Sequence, residues 1–306
     1  MDTSEKLTLL QELLGYTQQE LANYLKVSFP TVNSWLRRRS LPHPRTAKRI
    51  DQILINLTND SDLSRPETAR FEYIESSRKS LGNILEIITL NPDIQDAITL
   101  SFTYHTNSIE GSTLSEKETQ AVLFNQATLP NKTLVEQMEA INHKAAWNFL
   151  LQHLQKSGLI NIELMLKLHA ILMNGIRDDA GFYRQHPVRI LGAKTITANY
   201  IKVPQLMDEL IKMVNQSDLP ITYNIAKIHS KFEQIHPFSD GNGRVGRLLI
   251  QAMLIQANYP VAIIKQEKKQ QYYDVLEHAQ IKEDYEPLQD FLVTAMTFGI
   301  RLLNRT

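Results

Sequence analysis

The chain has 306 residues, 42% of them hydrophobic and 22% charged, with 33 basic and 33 acidic side chains and no cysteine. This composition excludes a disordered or collagen-like chain, and the lack of cysteine excludes disulfides, a thiol nucleophile and a cysteine-ligated zinc site. The first residues are amphipathic and include acids, unlike a signal peptide, and no stretch approaches the ~18 apolar residues of a membrane span. We therefore expect a cytoplasmic protein of about two domains with no membrane partner.

Positive charge is concentrated near the start of the chain. Residues 1–58 contain eight basic and five acidic side chains, a net charge of +3, and no acid lies between Glu20 and Asp51. Six of the basic residues fall between Arg37 and Arg49. Such a cluster attracts a phosphate backbone, although a solvated basic surface would look the same from charge alone.

The pattern around this charge predicts two short helices joined by a turn. Thr17 and Glu20 have the spacing of a capping box at the start of the first helix. A second helix is expected to begin near Phe29, where the following proline is tolerated in a first turn. Val32 and Trp35 then lie on one face, which can pack on the first helix.

Residues 17–44 resemble the helix-turn-helix of the Xre/Cro repressor-like family, and the resemblance extends over about residues 5–58. It implies that the second helix enters the major groove of DNA. The residues that would face bases are Phe29, Thr31, Asn33 and Ser34, and those that would face phosphates are Arg37, Arg38 and Arg39. A single unit of this kind binds weakly, so a homodimer is expected if the chain binds DNA. The alternative is a helical pair used only for protein contacts.

The rest of the chain is predicted to form a second, mostly helical domain. We assign residues 1–58 to the helix-turn-helix domain, the polar residues 59–66 to a linker and residues 67–306 to the second domain. Helical periodicity recurs through the second domain without an internal repeat. The exception is 187–203, where β-favouring residues flank a turn at Gly192 and predict a hairpin. The predicted fold class is therefore all-α with one small β-hairpin.

One segment between two predicted helices, HPFSDGNGRVGR at residues 236–247, holds groups suited to phosphate chemistry. Its three glycines allow backbone N–H groups to point into one concavity directly before a helix, which favours anion binding. Arg244 and Arg247 can bind phosphate oxygens, Asp240 can bind Mg²⁺, and His236 can act as a base. The segment thus predicts phosphoryl-group chemistry.

Other interpretations of this segment are weaker. The glycines spell GxGxxG and Glu267 follows about twenty residues later, but a helix rather than a strand precedes them, unlike a dinucleotide-binding fold. No Walker A motif is present, and His229 and His236 lack a third zinc ligand at metal spacing. A plain glycine-rich turn between helices does not account for a histidine, an asparagine and two arginines in the same loop.

The same twelve residues match the signature of the Fic family, HPFx(D/E)GNGRxxR, at every specified position. The resemblance extends over about residues 94–300 and includes GFYR at 181–184. Most members of this family transfer AMP from ATP to a Ser, Thr or Tyr hydroxyl of a protein. The resemblance therefore implies a protein adenylyltransferase that uses ATP as substrate with Mg²⁺ and modifies a target protein or itself.

The resemblance also implies roles for single residues. His236 would take the proton from the target hydroxyl, and Phe238 would anchor the loop. Asp240 would hold Mg²⁺ against the phosphates, and Asn242 would stabilise charge in the transition state. The other residues assigned to nucleotide or phosphate binding are Gly241, Gly243, Arg244, Arg247, Tyr272 and Tyr273. For the two tyrosines, core packing is an equal alternative.

A second motif suggests that the site is restrained. The run TNSIEG, from Thr106 to Gly111, matches the family's inhibitory pattern (S/T)xxxE(G/N) on a predicted helix at about 94–111. In such members the glutamate pairs with the second arginine of the signature, here Arg247, and keeps the γ-phosphate from binding productively. Glu110 is therefore expected to inhibit the enzyme, whereas the alternative is a glutamate that only ends a helix.

The hairpin at 187–203 would serve in this family as a flap that aligns a target segment by strand addition, and its alternative is a plain surface hairpin.

Two alternatives to the adenylyltransferase remain open. One is a transcription regulator whose Fic domain senses nucleotide or modifies the chain itself. The other is a Fic-type enzyme that removes AMP, or that transfers another nucleotide or phosphocholine.

Overall fold

The computed structural model describes residues 3–14, 17–50, 67–156, 158–189, 195–216 and 218–304. The chain divides into two compact units, Met1–Pro66 and Glu67–Thr306. Each unit has its own hydrophobic core. The linker predicted at 59–66 lies outside the described residues.

The first unit is a small group of helices. They are α1 (Thr3–Leu14), α2 (Gln18–Leu25), α3 (Phe29–Leu36) and α4, which is helical over residues 44–50. The predicted capping box is confirmed, since Thr17 and Glu20 satisfy each other's backbone N–H groups at the start of α2. Lys26 ends α2 in a left-handed conformation, and Ser28 caps α3. Trp35 is buried in the core of this unit, as its spacing predicts.

The second unit consists of helices, and none of its described residues is assigned to a strand. Its helices are α5 (Glu67–Leu81), α6 (Ile84–Leu90), α7 (Pro92–Glu110), α8 (Glu116–Asn125), α9 (Leu134–Lys156), α10 (Ile162–Leu172), α11 (Val203–Asn215), α12 (Ile221–Ile235), α13 (Asn242–Gln256), α14 (Lys269–Lys282) and α15 (Glu286–Leu303). Short 3-10 helices at Tyr200–Lys202 and Gln266–Lys268 precede α11 and α14. Within the described ranges, no helix is both long enough and apolar enough to cross a bilayer.

Helical periodicity over residues 67–89 favours one continuous helix, but the structure has two, α5 and α6. Gly82 adopts φ +83°, which favours glycine, and Asn83 caps α6 through its side chain. Asn258, which follows α13, holds both sides of the break. Its Nδ2 donates to Gly82 O at 2.8 Å, and its Oδ1 accepts from the Ile84 N–H at 2.9 Å. A distant residue thus fixes a break that helical periodicity alone does not show.

Helices α12 and α13 form the centre of the second unit. Helix α12 packs against α11, α13, α14 and α15, and α13 packs against α7, α9 and α10. Almost every residue of α13 is buried from Asn242 to Ile255. The loop 236–241 joins these two helices, so both of its ends are fixed in the hydrophobic core.

Helix α7 brings the predicted inhibitory motif to this centre. It packs against α13, and its last residue is Glu110. Gly111 ends the helix at φ +110°, a conformation that other residues rarely adopt. The end of α7, and with it Glu110, is therefore placed against α13.

The hairpin predicted at 187–203 is not seen. Residues 187–189 and 195–199 contain no strand, and Tyr200–Lys202 is a 3-10 helix. Thr197 Oγ1 donates to Val188 O at 2.7 Å, and the Ala198 N–H donates to Gln234 O of α12 at 3.1 Å. The backbone of this segment thus bonds to α12, which outweighs its β-favouring composition. The turn residues 190–194 lie outside the described residues.

Replacing Gly299 by alanine is predicted to destabilise the second unit. In most helices this change stabilises, but here the added Cβ would contact the backbone carbonyl of Val261, which cannot move aside easily. We expect a loss of about 1–3 kcal/mol, measured by chemical unfolding followed by circular dichroism. The control is Gln271→Ala, an exposed helical position that should change little. Equal stability of Gly299→Ala and the wild type would contradict this packing.

Candidate active site

His236 is the C-terminal cap of α12. Its backbone is left-handed, with φ +52°, and its N–H bonds to Phe232 O at 2.9 Å, so the chain turns sharply at the end of the helix. Its Nδ1 lies 3.2 Å from Glu233 O. Because a carbonyl oxygen only accepts, Nδ1 carries the hydrogen and Nε2 keeps its lone pair. The ring is therefore in the tautomer that can accept a proton at Nε2.

The surroundings of His236 favour its neutral form. Burial lowers the pKa of His236, and the positive charge of Arg184 lowers it further. The bond to Glu233 O and the carboxylates of Glu110 and Asp240 raise this pKa but do not outweigh burial. The pKa of His236 is therefore below its ordinary value of 6.5, and the ring is unprotonated at neutral pH.

The loop after His236 is held in one shape by Phe238 and Asn242. Phe238 is fully buried, and its ring stacks on His169 with the centroids 3.8 Å apart. The Asn242 side chain accepts from the Phe238 N–H and donates to Phe238 O, each at 2.9 Å. His169 Nε2 also donates to Asp240 O at 3.2 Å. Asn242 thus holds the shape of the loop. This role is additional to the stabilisation of transition-state charge that the family resemblance implies for it.

The loop leads into a helix start that is shaped to bind an anion. Gly241 is left-handed, with φ +76°, and precedes the first turn of α13, whose N–H groups lack partners within the helix. An added Cβ at Gly243 would contact the Glu110 carboxylate and lie 3.0 Å from Arg247 Nη1. Glycine at this position therefore leaves the space between the helix backbone and these two side chains open.

Arg247 lies one turn further along α13 and binds both ends of the predicted inhibitory motif. Its Nε donates to Thr106 Oγ1 at 2.6 Å. Its Nη2 donates to Thr106 O at 3.2 Å and to Glu110 Oε1 at 2.5 Å. The Arg247 side chain is 2% exposed. The ion pair that the sequence predicts between Glu110 and Arg247 is present, and Thr106 adds a second contact from α7.

Two acidic side chains face Arg247, but only Glu110 is ionised at neutral pH. Burial raises the pKa of Glu110, yet the charge and hydrogen bond of Arg247 outweigh burial and hold that pKa below its ordinary range. Burial raises the pKa of Glu233 to about 8; Arg247 opposes this rise, and Glu110 adds to it. Glu110 therefore balances the buried charge of Arg247.

Arg244 is anchored by a residue that the sequence did not reveal. Its Nη1 donates to Glu139 Oε1 of α9 at 2.8 Å, and its Nη2 lies 3.9 Å from Asp240 Oδ1. The Arg244 side chain is 3% exposed. Glu139 carries no local signal, because a lone acid on an amphipathic helix usually faces solvent. This anchor holds Arg244 on the Asp240 side of the loop.

Tyr272 and Tyr273 have different environments on α14. Tyr272 is 1% exposed, and its hydroxyl lies 2.6 Å from His229 Nε2. Tyr273 is 37% exposed. Burial raises the pKa of Tyr273 to about 12, with Glu110 adding to the rise and Arg247 opposing it. Tyr272 is therefore a core residue that also borders Arg247, and Tyr273 is the more exposed residue beside the Glu110–Arg247 pair.

Asp240 suits a metal ion that arrives with a phosphate ligand. Its side chain is 56% exposed, and its Oδ1 accepts from the Gly241 N–H at 2.6 Å. Among the described residues, no group of three or more His, Asp or Glu side chains could hold a metal ion. Mg²⁺ commonly binds through one or two carboxylates and completes its shell with phosphate and water oxygens. One exposed carboxylate beside an anion-binding helix start fits this pattern.

The first unit exposes all three arginines predicted to contact DNA phosphates. Phe29 is 38% exposed, and the arginines at 37–39 are exposed. Thr31, Asn33 and Ser34, predicted to face bases, are half-buried. The Thr31 and Ser34 hydroxyls bond to neighbouring serine hydroxyls at 2.8 and 2.7 Å. The arginines are thus exposed to solvent, and two of the predicted base contacts bond to hydroxyls within the unit.

The fold and the site define a helical protein with an anion-binding loop between its two central helices. Residues 159–254 match the Fic/DOC family, and residues 9–54 match the helix-turn-helix family. The chain therefore contains a Fic domain and, ahead of it, a helix-turn-helix domain.

Curated relatives carry the same kind of domain. Protein adenylyltransferase Fic of Aedes aegypti is 26% identical over 296 residues, which are 94% of this chain and 56% of that protein. Protein adenylyltransferase fic-1 of Caenorhabditis elegans is 32% identical over 185 residues, 59% of this chain and 36% of that protein. The chain spans about half the length, or less, of the curated relatives it matches.

Solved structures share the fold. A Fic domain containing signaling protein from Bacteroides thetaiotaomicron VPI-5482 has a TM-score of 0.64 and 25% identity, covering 76% of this chain and 95% of that one. Fic-1 from C. elegans has a TM-score of 0.67 over 93% of this chain and 84% of that one. Its identity is 21%, so this likeness concerns the fold alone.

Inorganic triphosphate is predicted to stabilise Glu110→Gly more than the wild type. Without Glu110, the buried charge of Arg247 loses its ion-pair partner, so an anion at the helix start gains that interaction. We expect saturating triphosphate to raise the midpoint of thermal unfolding of Glu110→Gly by about 5 °C more than that of the wild type. The control is Glu110→Gly/Arg247→Ala, which should lose this gain, and an equal shift in all three proteins would contradict the site.

Proposed function

We propose that the second unit is a protein adenylyltransferase that transfers AMP from ATP to a hydroxyl of a target protein or of itself, and that Glu110 restrains it. The observation that carries this proposal is the Glu110–Arg247 ion pair beside the anion-binding start of α13. The relatives named protein adenylyltransferase support the type of reaction. The signature loop supports the assignment of residues.

His236 acts as the general base. Its Nε2 takes the proton of the target hydroxyl while Nδ1 remains bonded to Glu233 O. The hydroxyl oxygen forms a bond to the α-phosphorus of ATP as the bond to pyrophosphate breaks. A neutral imidazole is required for this step, and the low pKa of His236 provides it at neutral pH.

The start of α13 holds the phosphates in place. The N–H groups of its first turn, with Gly241 and Gly243, stabilise negative charge, and Arg244 and Arg247 bind the β- and γ-phosphates. Asp240 would hold Mg²⁺, which would supply positive charge against the phosphates when bound. The protein contributes positioning and electrostatics rather than covalent chemistry.

Glu110 inhibits by occupying the guanidinium that the γ-phosphate needs. A carboxylate already bonded to Arg247 also repels phosphate oxygens at the same place. ATP bound beside it cannot adopt the pose for in-line attack. Movement or removal of Glu110 is therefore the activating step.

Removing Glu110 is predicted to raise AMP transfer at least tenfold. The expected gain comes from freeing Arg247, and His236→Ala in the same background should abolish transfer. The measurement is incorporation of label from α-³²P ATP with Mg²⁺ into the purified protein and a cell lysate. Unchanged incorporation in Glu110→Gly would contradict inhibition by this residue. Loss of label from a modified protein, without incorporation, would assign the reaction to AMP removal.

The acid decline of activity in Glu110→Gly is predicted to lie below pH 6.5. The lowered pKa of His236 keeps its base form until the pH falls through that pKa, and loss of Glu110 removes a carboxylate that raises it. The ion pair persists above the ordinary pKa of Glu110, 4.5, so the wild type should stay inhibited between about pH 5 and 8. Initial rates across this range test both points. A decline centred above pH 6.5 would argue against His236 as the base.

We also propose that the first unit binds DNA, because its exposed arginines follow α3 of a helix-turn-helix. Binding of random-sequence duplex is predicted to weaken as salt rises, since phosphate contacts release counterions. Arg38→Ala should weaken binding and lower the slope of log affinity against log salt by about one unit. The control is Lys6→Ala, which removes a basic side chain from α1. A slope unchanged by Arg38→Ala would contradict the phosphate contact.

A further inference from the structure

Arg184 is a buried cation that bonds to carbonyl groups instead of an acid. It is 1% exposed, and its Nε donates to His236 O at 2.7 Å. Its Nη1 donates to His186 O at 2.8 Å, and its Nη2 donates to Ala198 O at 2.5 Å and Ile235 O at 3.4 Å. No carboxylate in the described part of the chain forms an ion pair with it. Burial lowers the pKa of Arg184, which still leaves a guanidinium charged.

The four carbonyls belong to two different parts of the site. His186 and Ala198 lie on residues 185–189 and 195–199, here named the flap arms, which flank the undescribed residues 190–194. Ile235 and His236 lie at the end of α12, where the chain turns. The Arg184 N–H also donates to Pro237 O at 3.0 Å. One residue therefore joins both flap arms to the backbone of the proposed base.

Only an arginine can make this set of contacts. A guanidinium carries five N–H donors in one plane and can reach carbonyls on opposite sides, whereas a lysine presents three donors around a single point. Burying a charge without an acid is costly, and the carbonyl dipoles are its only compensation here. If the site only needed to be filled, an apolar side chain would do so without the free-energy cost of burying a charge.

We propose that Arg184 is a positioning residue for His236. It fixes the left-handed turn at the end of α12 and holds the flap arms against that turn, so that Nε2 keeps its position at the start of the loop. This inference rests on the proposed transfer reaction and adds to it the residue that places the base.

The charge of Arg184 has a second effect on His236. It lowers the pKa of the imidazole, in the same direction as burial. The groups that face the ring and oppose it are Glu110 on α7 and Asp240 in the loop, while the Glu233 side chain on α12 is uncharged at neutral pH. Loss of the charge should therefore raise the pKa of His236.

The first arm of the test needs no nucleotide. Full-length protein labelled with ¹³C at histidine Cε1 is titrated by NMR, and the His236 resonance is assigned from its loss in His236→Ala. Arg184→Gln should raise the pKa of His236, whereas Arg184→Lys, which keeps the charge, should shift it less. Arg189→Gln removes an exposed arginine of the same arm and should leave the pKa of His236 unchanged.

The second arm measures label incorporation from α-³²P ATP in the Glu110→Gly background. Arg184→Lys and Arg184→Gln should each lower the rate at saturating ATP on the order of 100-fold, because the base is misplaced. The ATP concentration for half-maximal rate should change less than about twofold, because Arg184 does not touch the helix start. If Arg184→Gln does not fold, Arg184→Lys alone carries this arm.

Incorporation within twofold of the parent in Arg184→Lys would overturn the proposal, as would an equal change in the rate and in the half-maximal ATP concentration. An unchanged titration of His236 in a folded Arg184→Gln would also overturn it. If even the parent incorporates no label, the transfer reaction fails, and the NMR titration still decides whether Arg184 acts on His236.

Discussion

The buried positive charge of Arg247 is the constraint on which the site depends. A guanidinium that is 2% exposed needs either an anion or several carbonyl acceptors, because an uncompensated charge in the interior is strongly unfavourable. The chain supplies Glu110 from α7, and the chemistry of the loop calls for a phosphate at the same place. In the function that we propose, inhibition and substrate binding therefore compete for the Arg247 side chain. The protonated state of Glu233 matters here, because a second ionised carboxylate beside Arg247 would weaken that competition.

The residues around the Glu110–Arg247 pair are closely packed, which supports the proposed competition. Helix α13 is buried along almost its full length, and Phe238 fixes the loop before it by stacking on His169. Asn242 closes the same loop on Phe238, and Arg184 holds the far end at His236. A site that works by positioning gains most from such support, since small displacements of the base or the phosphates cost large factors in rate.

The sequence showed the parts of the site that lie close together in the chain. Loop residues 236–247 are contiguous, so their chemistry was visible without tertiary structure, and the Glu110 motif was visible through its family pattern. Glu139, His169 and Arg184 are far in sequence from the loop residues that they contact. Their roles arise only from tertiary contacts.

The errors in predicting the fold have the same origin. The hairpin at 187–203 was predicted from β-favouring composition, but the backbone of Ala198 bonds to α12 instead of to a neighbouring strand. The break at Gly82 depends on Asn258, which is remote in sequence. The two short helices of the first unit and the capping box of α2 agree with the prediction, because a capping box is a local feature. Local sequence signals thus predict the helices, whereas hydrogen bonds between residues distant in sequence determine the missing hairpin and the break at Gly82.

The most direct test of the account is a double-mutant cycle on AMP transfer at saturating ATP, using the wild type, Glu110→Gly, Arg247→Ala and the double variant. We expect loss of Glu110 to increase the rate only where Arg247 is present, because the proposed inhibition consists of occupying that guanidinium. An increase of the same size in the Arg247→Ala background would show that Glu110 restrains the enzyme by some other route and would contradict the central claim.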